Sequence, residues 1–304
     1  MISICIPVYN FYVYPMIEEL QQQAMLCNKK YEIIIADDKS ENNFKEQNKK
    51  VQELQNVKYI ELEENIGRSR IRNFLKDEAS GSYILFLDCD LKIIRKDFVS
   101  KYLEFIEIQK VEEFVVCGGH TYDSQYPPPK QKLHWLWGNK CEAFSHSLRS
   151  ENPYQSFMTS NFVISKKTIE RIPFNEKLVG YGHEDTLLGF ELLKQNIPVL
   201  HINNPVEHLG LEENKVFLHK TAESIDNLIT LYDIIGRDPE FLKISKLLRS
   251  YIRLKKLRIL FIYRLFFRMF NKHIEKKLMG NNPTIFALNL FKLGILAKHK
   301  IPHK

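Results

Sequence analysis

The chain has 304 residues, 44% of them hydrophobic and 27% charged, with a net charge of +7. That length and apolar content support a substantial buried core and exclude a chain without one. The charge is uneven: Arg249 to Lys304 hold fourteen Lys or Arg against one acid, Glu275, a net +13 that leaves −6 for residues 1–248 and argues against a nucleic-acid footprint on the main domain.

The five cysteines, Cys5, Cys27, Cys89, Cys117 and Cys141, are odd in number and widely spaced, which predicts reduced thiols. MISICIPVYN offers neither a basic start nor the apolar run of a signal peptide, so the expected location is the cytoplasm. ISICIPVYN reads as a short strand stopped by Pro7, and MIEELQQQAMLCNKK as a helix. YEIIIADDKS is a second buried strand that ends in Asp37, Asp38 and Ser40. FKEQNKKVQELQ follows as a polar helix and VKYIELEEN as a strand. Strands separated by helical patterns predict a parallel sheet with right-handed crossovers. No Gly-x-Gly-x-x-Gly is present, which lowers the expectation of a dinucleotide cofactor.

NIGRSRIRNFLKDEASG reads as a loop entering a helix whose start holds three arginines. Guanidinium forks suit phosphates, and a helix N-terminus adds donors for an anion; the plain alternative is ordinary surface arginines. YILFLDCDLKII is then an apolar strand with two carboxylates at its end. Strand alternation predicts Asp88 and Asp90 on one side and Cys89 on the other. Two such anions call for a hard divalent cation, Mg²⁺ or Mn²⁺, that would also hold substrate phosphates. The alternative is a solvated acidic turn.

The series ISICIPVYN, IIIADDKS, NIGRSRIRN and GSYILFLDCD resembles, in order and spacing, the N-terminal half of family 2 glycosyltransferases with the GT-A fold. The resemblance implies that Pro7, Val8 and Tyr9 line the base pocket, that Asp38 contacts the base, and that Gly67, Arg68 and Arg72 lie by the nucleotide. It also implies that Asp88 and Asp90 form the metal-binding pair, with Asp88 beside the nucleotide sugar.

Further along, KDFVSKYLEFIEIQK reads as an amphipathic helix and FVVCGGHTY as a strand with a glycine turn. YPPPKQKLHWLWGNK reads as a loop that holds Trp135 and Trp137, rings able to stack on a sugar face or to anchor a core. TSNFVISKK is a strand, GYGHED a glycine-hinged turn, TLLGFELLKQN a helix and IPVLHI a strand followed by His208. A Glu-Asp pair opening a helix after a glycine turn extends the resemblance. It implies Asp185 as catalytic base, Glu184 as its support or as an acceptor contact, His183 beside the acceptor and His208 completing the metal site with Asp88 and Asp90. The plain readings are a helix cap at Asp185 and a loop histidine at His208. Processive members have Gln-x-x-Arg-Trp after the base; its absence here favours addition of a single sugar.

VFLHKTAESIDNLITLYDIIGRDPEF reads as helical, and beyond it KISKLLRSYIRLKKLRILFIYRLFFRMFNKHIEKKL mixes aromatics with cations. Arg258, Arg264 and Arg268 interrupt every apolar run, so the expectation is an interfacial helix on anionic lipid, or a helix packed on the main domain, or both. The expected architecture is α/β, a GT-A (Rossmann-like), mostly parallel sheet flanked by helices over residues 1–240, with a helical basic tail at 241–304. The expected activity is transfer of one sugar, with inversion, from a nucleoside-diphosphate donor, UDP-linked by expectation, to a glycan or lipid-linked acceptor of the bacterial surface-polysaccharide type. A non-catalytic sugar-nucleotide or membrane-binding module and a nucleotidyltransferase are the alternatives. The expected setting is peripheral, on the inner face of the cell membrane.

Overall fold

The structure is a computed structural model that describes residues 1–299. In chain order the elements are β1 (Ile2–Val8), α1 (Tyr14–Leu26), β2 (Tyr31–Asp37), α2 (Asn42–Asn48), β3 (Val57–Glu61), α3 (Arg68–Glu78), β4 (Tyr83–Leu87), β5 (Leu91–Lys92), α4 (Phe98–Ile108), β6 (Val115–Cys117), β7 (His120–Thr121) and α5 (Lys132–Trp137). Next come α6 (His146–Glu151), β8 (Asn161–Ser165), α7 (Lys166–Arg171), α8 (Glu184–Lys194), β9 (Val199–His201), β10 (Val206–His208), α9 (Asn214–Ile234), α10 (Phe241–Ile244), α11 (Lys246–Lys256), α12 (Leu260–Met279) and α13 (Ile285–Lys298). They fall into two compact units. The first comprises Met1–Tyr122, Ala143–Val179 and Glu184–Gly210; the second comprises Asp123–Glu142, Gly180–His183 and the chain from Leu211 onward.

The first unit is built on a seven-stranded sheet of order β3-β2-β1-β4-β8-β6-β9. Strands β3, β2, β1 and β4 run parallel, β8 runs antiparallel to both β4 and β6, and β6 and β9 are parallel. Alternation along the strands feeds two cores. Ile4, Ile6, Ile33, Ile35, Leu85 and Leu87 pack with Ile17 and Leu20 of α1 and Phe98 and Tyr102 of α4. Cys5, Ile34, Ala36, Ile84 and Phe86 face the other way, onto Ile71 and Leu75 of α3 and Leu188 and Leu192 of α8. Fully burying a Leu, Ile or Phe contributes roughly 1.5–3 kcal/mol, so these two layers dominate the unit's stability. A small sheet of order β5-β10-β7 sits in the same unit.

The expected strands and helices are present, with local differences. Pro7 does not stop β1, which continues to Val8. Pairing with β4 ends at Cys5 while pairing with β2 runs on to Val8, so at Pro7 the strand has a partner on one side only and a missing N–H is tolerated. The polar helix after β2 is shorter than its pattern: α2 ends at Asn48 and a 3₁₀ turn, Lys49–Glu53, buries Val51. The stretch expected as a tryptophan loop is helical from Lys132 to Trp137.

The second unit takes in the expected tail and adds α5 and α9 to it. Its core joins Leu133 of α5, Phe217 and Leu218 of α9, Phe267, Ile274 and Leu278 of α12, and Ala287, Leu288 and Phe291 of α13. Ser245 and Thr284 cap α11 and α13 by accepting from the N–H of Leu248 and Ala287. At Gly294 an added Cβ would collide with the ring of Phe267, so glycine permits the close approach of α12 and α13. Residues 300–304 of the expected tail lie outside the described residues. Among the described residues, no helix is long and apolar enough to cross a membrane.

Candidate active site

The carboxyl ends of β1, β2, β3 and β4 lie on one edge of the sheet, the edge where open α/β sheets bind ligands. Two loops are tied together there. Asp38 N–H donates to Val8 O (2.8 Å), Asn10 N–H to Ser40 Oγ (2.8 Å) and Glu41 N–H to Asn10 Oδ1 (2.8 Å). Pro7, Val8 and Tyr9 are thereby held against Asp37–Ser40, with Val8 buried and Tyr9 54% exposed. Asp37 is wholly internal: it accepts from Ser40 N–H (2.6 Å) and from the Tyr59 hydroxyl (2.8 Å). Asp38 accepts from the N–H of Ile66 (2.7 Å) and of Gly67 (3.0 Å). The anion met by the turn into α3 is therefore the chain's own carboxylate. Burial raises the Asp38 pKa, those two N–H groups draw it back, Asp37 adds to the rise, and the net direction is up. Gly67 holds φ of 81°, a left-handed conformation suited to glycine, as it leads into α3.

One turn into α3, the guanidinium of Arg72 is buried, 2.6 Å from Asp88 Oδ1 and 4.0 Å from Glu184 Oε1. Arg68, one turn earlier on the same helix face, places Nη1 3.2 Å from the same Glu184 oxygen. Asp88, Arg72, Glu184 and Arg68 thus form one alternating chain of charge. Burial opposes ionisation of Glu184, but Arg68 and Arg72 outweigh it and hold the carboxyl below its ordinary range. Arg70 is turned elsewhere and lies 3.5 Å from Glu176, so two of the three arginines expected together meet at the site.

The two aspartates expected side by side on a strand take different partners. β4 ends at Leu87, and Asp88 to Asp90 form the turn before β5. Asp88 N–H donates to Ser160 O (3.0 Å) and its carboxylate turns to Arg72. Asp90 is pinned from the other side, since its carbonyl accepts from Leu209 N–H (2.8 Å) and its Oδ2 lies 3.4 Å from Nε2 of His208 on β10. Burial would raise the Asp90 pKa; the hydrogen bond and charge of His208, its own backbone N–H and Arg68 together lower it to about 2. Asp90 and His208 come together as expected, whereas Asp88 is held by a cation. Among the described residues, no group of three His, Cys, Asp or Glu side chains could hold a metal ion by itself. The Asp90–His208 pair does fit a shared cation: one hard oxygen and one imidazole nitrogen, with the other positions left to phosphate oxygens and water.

Glu184 and Asp185 open α8, Glu184 buried and Asp185 half-buried. Asp185 Oδ1 accepts from the N–H (2.6 Å) and hydroxyl (3.1 Å) of Thr186. The preceding residues belong to the second unit, where Asn227 of α9 donates to the carbonyls of Tyr181 and Gly182 (3.2 Å each). His183 has φ of 70°, in the left-handed region that asparagine, aspartate and histidine enter more readily than other residues with a side chain. Trp135 and Trp137 are also in the second unit and are half-buried on α5, contrary to the exposed loop expected. Trp135 donates to Asp123 O (2.8 Å), and Trp137 donates to Glu142 (2.9 Å) under the ammonium of Lys292, 3.4 Å from its ring centre. The reason is local: Pro129 opens a 3₁₀ turn that leads straight into α5, so the prolines start a helix.

The family model described as glycosyl transferase family 2 matches residues 3–172, more than half of the chain. The chain belongs to that family. As a family 2 glycosyltransferase it is 23% identical to an uncharacterized glycosyltransferase, YfnE, of Bacillus subtilis, over 75% of this chain and 71% of that one. It is 26% identical to a chondroitin synthase of Escherichia coli over 64% of this chain, and spans 32% of that longer protein. Among solved structures, the mannosyltransferase PcManGT of Pyrobaculum calidifontis with GDP-Man and Mn²⁺ aligns with a TM-score of 0.55 at 14% identity, over 80% of this chain and 66% of that one. Glucosyl-3-phosphoglycerate synthase of Mycobacterium tuberculosis with Mn²⁺, UDP and glucosyl-3-phosphoglycerate aligns at 0.52 and 16%, over 78% and 80%. TarS 1–349 of S. aureus with UDP aligns at 0.50 and 17%, over 75% of this chain and 65% of that one. The fold is the GT-A fold of these enzymes, with the mixed sheet described above.

Two contributors to the site left no mark in the sequence reading. Gly210 brings its backbone so close to the Asp90 carboxylate that a Cβ there would overlap it, an approach across about 120 residues that no local pattern announces. Tyr59 donates to Asp37 and so occupies it, leaving Asp38 as the carboxylate that meets the turn into α3; nothing in VKYIELEEN names that partner.

Proposed function

We propose that this protein is an inverting, metal-dependent glycosyltransferase that moves one sugar from a nucleoside-diphosphate donor, most simply UDP-linked, to a hydroxyl of a glycan or lipid-linked acceptor of the bacterial surface-polysaccharide type. The observation that supports it best is the charge chain Asp88–Arg72–Glu184–Arg68, which joins the donor edge of the sheet to the start of the helix that holds Asp185.

In this reading Pro7, Val8 and Tyr9 form the wall against which the base rests. Asp38 keeps lone pairs on both oxygens after accepting one N–H each, and these meet the base. Gly67 gives the backbone close access, and Arg68 and Arg72 face the diphosphate. Asp90 and His208 would hold Mn²⁺ or Mg²⁺, which when bound would neutralise charge on the departing diphosphate, with Asp88, drawn to Arg72, as the weaker contributor. Asp185 takes the acceptor proton during in-line attack, while Glu184, locked by two arginines, stays ionised and fixes the first turn of α8. Trp135, Trp137 and His183 are assigned to the acceptor, and the basic helices of the second unit to an anionic membrane surface.

The test is incubation with UDP- and GDP-sugars and Mn²⁺, with and without acceptor glycans, followed by nucleotide analysis. Acceptor-dependent release of a nucleoside diphosphate is expected. Release of pyrophosphate would indicate a nucleotidyltransferase, and tight nucleotide-sugar binding with no turnover on any acceptor would indicate a binding module.

A further inference from the structure

The core of the second unit uses one face of α12, through Phe267, Ile274 and Leu278, and Leu260 is buried as well. The opposite arc is apolar too, chiefly in its first half. Phe261, Ile262, Leu265, Phe266, Met269 and Phe270 are all exposed, Phe261 by 67% and Met269 by 63%. Helical spacing merges them into one continuous surface. Leu257 and Ile259, also exposed, extend it into the turn between α11 and α12. A contiguous apolar surface of this kind on a protein exterior marks a docking face.

Charge identifies the partner. On one flank stand Lys256 and Arg258, and on the other, along the same arc, Lys272, Lys276 and Lys277, all exposed. Among the described residues none of these five is paired with a carboxylate. Arg264, by contrast, is engaged within the unit, where it donates to Ala297 O and His299 O at the end of α13. An apolar strip with unpaired cations at both ends is complementary to a surface whose interior is hydrocarbon and whose rim is anionic.

We propose that the arc from Leu257 to Phe270 inserts into the headgroup–acyl boundary of an anionic bilayer, with Lys256, Arg258, Lys272, Lys276 and Lys277 seated at its phosphates. This rests on the reading of the basic helices as membrane-facing, and adds to it an inserted apolar face in place of adsorption by charge alone. It is independent of the sugar-transfer chemistry.

The test is co-sedimentation of the full-length protein with vesicles of phosphatidylcholine alone or of phosphatidylcholine with phosphatidylglycerol, at low and high salt. Two triple variants are compared: Phe261→Ser/Leu265→Ser/Met269→Ser and Lys272→Gln/Lys276→Gln/Lys277→Gln. All six positions are exposed, so melting temperatures should match the parent. The parent should prefer the anionic vesicles and keep part of its binding at high salt. Removing three cations should weaken binding by about a hundredfold, each contributing on the order of fivefold. The serine variant should lose about tenfold or more with every cation in place. If it binds as tightly as the parent while the glutamine variant does not, adsorption stands and insertion is overturned. If the parent ignores both vesicles, or instead forms a dimer that the serine variant abolishes, the membrane reading itself fails.

Discussion

Nη2 of Arg72 lies 2.6 Å from Oδ1 of Asp88, and the arginine, 3% exposed, is also within 4.0 Å of Glu184. One internal cation therefore joins the end of β4 to the start of α8. Removing it leaves Glu184 buried with Arg68 as its remaining partner. Arg72→Met should destabilise the protein by about 3 kcal/mol in urea unfolding, the lower end for breaking a buried pair, because Asp88 keeps some contact with solvent. Unfolding free energy indistinguishable from the parent's would show that the chain of charge is not structural.

Asp185→Asn separates a base from a mere helix-start residue. Asparagine can still accept from Thr186, so the fold and nucleotide affinity should be kept. Transfer should fall by about 10²- to 10⁴-fold through loss of general-base catalysis. Single-turnover assays on protein of unchanged melting temperature provide the measurement; near-normal transfer would rule out Asp185 as the base.

The unequal surroundings of the two aspartates can be read out with nucleotide alone. UDP affinity, measured by calorimetry, should rise with Mn²⁺ or Mg²⁺, and Asp90→Asn should abolish that gain. Asp88→Asn should retain part of it, since Asp88 is drawn toward Arg72. Equal affinity in the presence of excess chelator would count against a metal-dependent donor site.

Stability against pH holds two opposed contributions. His201 is buried, accepts from Arg149 at Nδ1 (2.9 Å) and donates from Nε2 to Pro153 O (3.0 Å); burial, with Arg149 assisting against the Pro153 hydrogen bond, lowers its pKa to about 4. Its unfolded value is about 6.5, so stability is full above that and falls by roughly 3 kcal/mol as pH drops toward 4. Burial raises Glu191 to about 7, above an unfolded value of about 4.3, so its contribution is full at low pH and is lost as pH rises through 7. Between about pH 4.5 and 6.5 the two slopes oppose each other. Glu191→Gln should steepen the loss of stability on acidification and His201→Gln should reverse it; parallel curves for the three proteins would refute both assignments.

Phe267 tests whether the C-terminal helices are an appendage or a core. It is buried against α9 and α13 residues, so Phe267→Ala should cost about 3–5 kcal/mol of the second unit's stability. Deletion of residues 247–304 would bare Phe217, Leu218 and Leu133, and should give aggregating protein. A soluble, monomeric truncation with native-like thermal unfolding would contradict this.

What the sequence revealed and what it hid follow the range of the forces involved. Strands β1 to β4 were legible because runs such as YEIII and YILFL are buried on both faces and state their own periodicity. Asp38 and Asp90 stood out as candidates because they follow the ends of those runs, and Arg68 because it opens α3. The turn of Asp88 toward Arg72 was not, since strand alternation was extended past Leu87, where the strand stops. Trp135 was misplaced because three prolines read as a loop, although proline is at home in the first turn of a helix. Gly210 depends on an approach between distant segments, which composition and spacing cannot register.

The second unit draws Leu133 into a core with Phe267, Leu278 and Phe291, residues that leave the ribosome long after it. At synthesis rates of about 5–20 residues per second, α5 waits on the order of ten seconds or more for its last partners. Through that interval the apolar side chains of α5 have no completed core to enter. Assembly of this unit is therefore timed by the emergence of α13, and a ribosome stalled before Ile285 would display a sticky, unfinished helical surface to the chaperones of the cell.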